Sequence, residues 1–138
     1  MTVTTTVAHA NEELREDHRR LQSLVDRLRS AGDLDALAAV LEELHAALTA
    51  HFNAEERPGG LYDALGLCVP EFRAELAGLV DDHFRIAGAL RDMRDRARDA
   101  LGGVYDSLPG EAARLARVLG EHEKREHAMV DAAMSRGA

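Results

Sequence analysis

The stretch His51-Phe52-Asn53-Ala54-Glu55-Glu56 decides how this chain is read. It sets an imidazole and a carboxylate four residues apart at the end of an apolar stripe. Backward from it the stripe runs Leu37, Leu41, Leu44, Leu48, His51, Glu55, at spacings of 4, 3, 4, 3 and 4. Such spacing marks one face of a helix turned toward a core. Its last two places hold metal-ligand side chains instead of leucine. A buried carboxylate without a positive partner is too costly to keep ionised, so something positive is expected against it.

Working outward, three more stripes of the same kind emerge. Before it, Asn11 is expected to cap a helix carrying Leu14, His18, Leu21, Val25 and Leu28, which stops near Gly32. Asp33 then caps the helix of the opening stretch, which ends at Arg57-Pro58-Gly59-Gly60, since Pro58 disfavours helical geometry at Arg57. Residues 61–70 are unusually apolar for a connection and read as a short helical or irregular segment packed over one end. Pro70 opens a third helix as its first residue, with Phe72, Leu76, Leu79, His83, Ile86, Leu90, Met93 and Ala97 on its stripe and Gly102-Gly103 at its end. A fourth begins around Ser107 and Pro109 and carries Leu115, Leu119, His122, Glu126, Met129 and Ala133. Mostly short links make sequential helices antiparallel. The expected fold is all-α, an up-down-up-down antiparallel four-helix bundle over residues 11–138, preceded by a flexible Thr-rich tail over 1–10.

Composition narrows the function. With 138 residues the chain suits one domain with a single core. A formal charge of −8 argues against nucleic acid, and the Arg-rich run 91–98 is interrupted by Asp92 and Asp95, as on a solvated helix face. No apolar run nears the ~20 residues that a membrane span needs. The N-terminus lacks the basic and apolar regions of a signal peptide. The single cysteine, Cys68, rules out an intramolecular disulfide framework and fits a reducing, cytoplasmic setting.

In the four stripes, six places are not apolar: His18, His51, Glu55, His83, His122 and Glu126. Residues i and i+4 share a helical face, so His51 with Glu55, and His122 with Glu126, can serve one centre. At ~1.5 Å per residue, antiparallel pairing brings the six to compatible levels. A lone histidine on such a stripe is more often a satisfied core residue than a ligand, and one His-x-x-x-Glu is a weak signal. Four histidines and two glutamates in register are hard to explain as packing. The set suits imidazole- and oxygen-ligated first-row metals better than Ca²⁺, and the absence of thiolates disfavours structural zinc or an iron–sulfur cluster. Two carboxylates could each bridge two metals. His45 and His127 lie off the stripes, and His9 lies in the tail. The Glu-x-x-His pairs of ferritin-like bundles and the zincin motif do not fit.

At these residues the chain resembles the hemerythrin-like family, the HHE cation-binding domain, from about Asn11 to Ser135. The resemblance implies two non-haem iron ions with an oxo or hydroxo bridge. His18 and His51 would bind one iron, His83 and His122 the other, with Glu55 and Glu126 bridging. It implies a small ligand (O2, NO or peroxide) for sensing, storage or detoxification. The alternatives are a catalase- or peroxidase-like enzyme and an iron-responsive regulatory bundle. A monomer or homodimer is expected. Oxygen-carrying members place a second histidine four residues after the first in the third helix, where this chain has Ala87. Glu56 and the phenolate oxygen of Tyr62 are the candidates to replace it, and the segment 58–70 is the expected route of access.

Overall fold

The structure, a computed structural model, describes residues 3–100 and 108–136. The described residues are helical apart from short links. The elements are α1 (Val3–Glu13), α2 (Arg15–Ser30), α3 (Leu34–Glu56), α4 (Leu61–Cys68), α5 (Arg73–Ala100) and α6 (Leu108–Arg136). A 3-10 turn, Pro70–Phe72, joins α4 to α5, so Pro70 heads that turn and the α-helix proper begins at Arg73. The expected break at Gly102-Gly103 and the start at Ser107 lie outside the described residues. Among the described residues no helix is long and apolar enough to cross a membrane.

Local chemistry explains most of the boundaries. Asp33 caps α3, its carboxylate accepting from the Ala36 amide at 2.7 Å. After α3 the chain turns through Gly59 at φ 77°, in the left-handed region that favours glycine. Asp63 then accepts from the Gly59 amide at 2.8 Å and holds the turn against the first turn of α4. The apolar run 61–70 is indeed largely a short packed helix, with Leu61, Tyr62 and Leu65 buried.

The N-terminal reading needs correcting. Residues 3–10 are helical rather than a tail, and Asn11 lies inside α1 instead of capping a helix. Val7 and Ala10, with Leu14, form a short apolar face that is buried among α4 and α6 side chains. Packing of that face outweighs the modest helix propensity of the threonines. Leu14 itself has φ −91° and ψ 0° and donates its amide to the Asn11 carbonyl at 3.2 Å. One tight turn thus divides the expected first helix into α1 and α2.

α3 packs on α2 and α5, and α6 packs on the same two helices, while α1 and α4 pack on each other and on α6. The core is in two parts. One holds Leu21 to Leu28 of α2, Leu37 to Phe52 of α3, Ile86 to Ala97 of α5 and Ala112 to Leu119 of α6. The other gathers α1, α4, the start of α5 around Leu76 and Leu79, and Met129 to Ala133 of α6. Along each of the four longer helices the stripe leaves one part, passes His18, His51–Glu55, His83 or His122–Glu126, and enters or faces the other. A polar layer lies between them.

Gly60 sets where α4 sits. A Cβ there would lie 2.7 Å from the Ala54 carbonyl oxygen and 2.9 Å from that of Arg57, both backbone. Gly60→Ala is expected to cost about 1–3 kcal/mol by overpacking and to displace the start of α4. Gly32, with nothing within 4 Å of such a Cβ, provides the matched control. Equal melting temperatures for the two alanine variants would refute the close approach.

Candidate metal centre

The six residues singled out from the stripes meet in one layer. His51 and Glu55 are 0% exposed, His122 and Glu126 1%, and His83 3%; His18 is partly buried. They divide into two clusters. Glu55, His83, His122 and Glu126 form one, and His18, His51 and Glu123 the other; within each, one donor atom per residue lies within 4.8 Å of the rest.

Glu55 touches both. Its Oε2 is 3.3 Å from His51 Nε2 and its Oε1 is 3.4 Å from His83 Nε2. Glu126 belongs to one cluster: its Oε1 is 3.5 Å from His122 Nε2, and its Oε2 accepts from the Tyr62 hydroxyl at 2.5 Å. Glu55 thus approaches imidazoles of both clusters, while Glu126 approaches His122 and the Tyr62 hydroxyl and lies beside Glu55.

The Nε2 atoms face inward. His83 and His122 bring theirs to 3.0 Å of each other. His83 donates its Nδ1–H to Glu56 Oε2 at 2.6 Å, which leaves the Nε2 lone pair free for a cation. Asp82 faces His122 Nδ1 at 3.4 Å and is itself held by Arg85 and Arg125. Asp17 approaches His51 Nδ1 at 3.5 Å. Phe52 stacks on the His83 ring at a centroid distance of 3.8 Å and an angle of 7°, which fixes its orientation.

The electrostatics are those of an interior short of positive charge. Burial pushes the Glu55 carboxyl up to about 8 and Glu123 to about 7, and holds Glu126 well above the usual carboxylate range. Burial also lowers His18 and His122 to about 4 and His83 to about 3, with neighbouring imidazoles adding to the effect. Burial, with Glu126 and Glu55 beside it, raises the Tyr62 phenol far above its ordinary value.

A family profile for the hemerythrin HHE cation-binding domain matches residues 9–131. The chain belongs to the hemerythrin HHE family. Comparison with curated proteins and with solved structures finds no match. The matched span of this hemerythrin-like domain contains every residue of both clusters, and its family binds metal cations.

The side chains fit a cation. His18 Nε2, His51 Nε2, both Glu55 oxygens, Glu123 Oε1 and Glu126 Oε1 are buried with no hydrogen-bond partner. Each unsatisfied buried polar atom costs roughly 1–3 kcal/mol, so such a layer is stable only when cations or protons compensate it. Neutral imidazoles beside carboxylate oxygens form a donor set for first-row metals.

Of the residues flagged to replace the missing histidine, Glu56 lies on the far nitrogen of His83, where it orients the ring. The Tyr62 hydroxyl stands 2.9 Å from His83 Nε2, inside the cluster. Ala87 is partly buried. His45 accepts from Arg94 at 3.1 Å and takes no part in either cluster, and His127 is exposed, with its ring 5.4 Å from that of His18.

Glu123 lies off the apolar stripe of α6. It follows His122 directly and so points about 100° away from it. The signal available in the sequence was the pair Glu123 and His127, four residues apart on a second face of α6.

Among the described residues, three of the clefts reach side chains of the layer or of the segment beside it. One of about 290 Å³ between α2 and α6 reaches His18 and Glu123, and one of about 810 Å³ between α5 and α6 reaches His122. The third, about 680 Å³, is bordered by Gly59, Gly66 and Tyr62 of the segment expected to control access.

Proposed function

We propose that this hemerythrin-like domain holds two non-haem iron ions in an up-down-up-down four-helix bundle and binds O2, NO or peroxide there, for sensing, storage or detoxification. Glu55 carries the reading. One buried carboxylate turns its two oxygens to two separate clusters of histidine and glutamate, at 3.3 Å and 3.4 Å from their imidazoles, as a bridge between two cations requires. The mutual packing of α2, α3, α5 and α6, with the short link between α2 and α3, supports the antiparallel bundle. His18 and His51 would hold one iron, and His83, His122 and Glu126 the other.

Bound iron supplies Lewis acidity and a one-electron change of valence toward a small ligand. The chain supplies the rest. Glu56 and Phe52 hold His83 in place, so its Nε2 needs no reorientation. Tyr62 keeps a proton on its hydroxyl, hydrogen-bonded to Glu126, while the layer lacks positive charge. With a cation beside His83, Tyr62 would be placed to release that proton and serve as an oxygen ligand in the place that Ala87 leaves without an imidazole.

A second reading, peroxide decomposition, is favoured by the Tyr62–Glu126 pair, which holds a proton inside the site, and by the cleft that reaches His122. Anaerobic loading with Fe(II), metal analysis and exposure to peroxide, NO or air separate the two. Two irons per chain with reversible spectral change support small-ligand binding, and sustained peroxide loss supports the enzyme. A single zinc ion, or no iron, would overturn both. Tyr62→Phe is expected to keep both irons and lose the visible phenolate-to-iron absorption. An unchanged spectrum would mean that Tyr62 stays a protonated hydrogen-bond donor.

A further inference from the structure

We propose that Glu123 is a terminal carboxylate ligand of the cation held by His18 and His51, so that this half of the centre has three side chains of its own beside the shared Glu55. The inference rests on the two-iron reading above. Glu123 Oε2 lies 3.7 Å from His18 Nε2, and Oε1 lies 3.9 Å from His51 Nε2. These distances are too long for hydrogen bonds and suit two donors on opposite sides of an ion. The Nε2 atoms of both histidines, and Glu123 Oε1, are buried without a partner, and the His51 side chain is fully enclosed. Three orphaned donors of complementary type thus converge on one point.

The placement on α6 explains how one helix serves both halves. His122 and Glu126 share a face toward α5, and Glu123, one residue on, faces α2 and α3. Without Glu123 the His18 half would rest on two imidazoles and one oxygen of Glu55. With it, each half has two imidazoles and at least one carboxylate of its own. The added negative charge also favours the ferric over the ferrous ion on that half, which works against reversible O2 carriage.

The full chain should be loaded anaerobically with Fe(II), and iron affinity and the ferric/ferrous potential measured for wild type, Glu123→Gln and Glu121→Gln. Glu121 is exposed on the same helix. Glu123→Gln is expected to weaken one of the two irons by about tenfold or more and to raise the potential, while Glu121→Gln changes neither. Metal-free Glu123→Gln should melt at or above metal-free wild type, because a partly buried carboxylate with an unpartnered oxygen is gone, yet gain less on loading. Two irons at wild-type affinity in Glu123→Gln, or a lower metal-free melting temperature, would overturn the ligand role alone. Fewer than two irons in wild type would overturn it together with the two-iron reading.

Discussion

Glu55→Ala is expected to strip both irons from the chain, whereas Glu126→Ala removes one. The difference follows from where the oxygens point. Glu55 reaches His51 through one oxygen and His83 through the other. Glu126 reaches His122 through one and the Tyr62 hydroxyl through the other. On the two-iron reading, deleting Glu55 would also remove the negative charge shared by the two halves, so neither would be left whole. Iron per chain after anaerobic loading and desalting reads the outcome. One retained iron in Glu55→Ala would show that the halves are independent; loss of both in Glu126→Ala would show a second bridge.

The second large effect is on stability. An ion present at a thousandfold excess over its dissociation constant stabilises the folded state by about 4 kcal/mol, so two contribute about 8 kcal/mol. For a chain of this size that raises the melting temperature on the order of 20 °C. The increase depends on pH with a definite sign. Glu55 and Glu123 have folded values near 8 and 7, above the ordinary 4.5, so metal-free stability declines as pH rises from 4.5 through those values. His18, His122 and His83 lie near 4, 4 and 3, below the ordinary 6.5, so stability also declines as pH falls from 6.5 through them. The metal-free chain is therefore most stable between the two ordinary values. Iron requires ionised carboxylates and neutral imidazoles, so it removes the decline on the alkaline side. Melts at several pH values should show the gap between loaded and metal-free protein widening from pH 5.5 to 8. A gap that is constant, or narrows, would place the metal outside this layer.

Much of this was legible in the sequence because helix stripes project single faces. The 4-3 spacing located His18, His51, Glu55, His83, His122 and Glu126, and the Asp33 cap and the Pro58 break follow from local backbone chemistry. Two features were not legible. An apolar stripe marks one inward face of a helix, but α6 stands between two clusters and presents two, so its stripe does not include Glu123. Residues 3–10 have weak intrinsic preference for helix, and their order comes from Val7 and Ala10 packing on segments distant in sequence. Tyr62 was flagged as a candidate, but its position depends on the tight approach at Gly60, which no periodicity reports.

The division of the core has a consequence for how the molecule comes apart. Each hydrophobic body on its own is small, and the boundary between them is crossed by side chains that repel or go unmet when no cation is present. Cooperativity normally spreads through continuous apolar contact; across this layer it passes along the continuous α5 and α6 helices, and coordination bonds would add to it. On the two-iron reading the ions would act as rivets between two sub-globular units, and metal removal is expected to loosen the end built from α1 and α4 before the body of the longer helices melts.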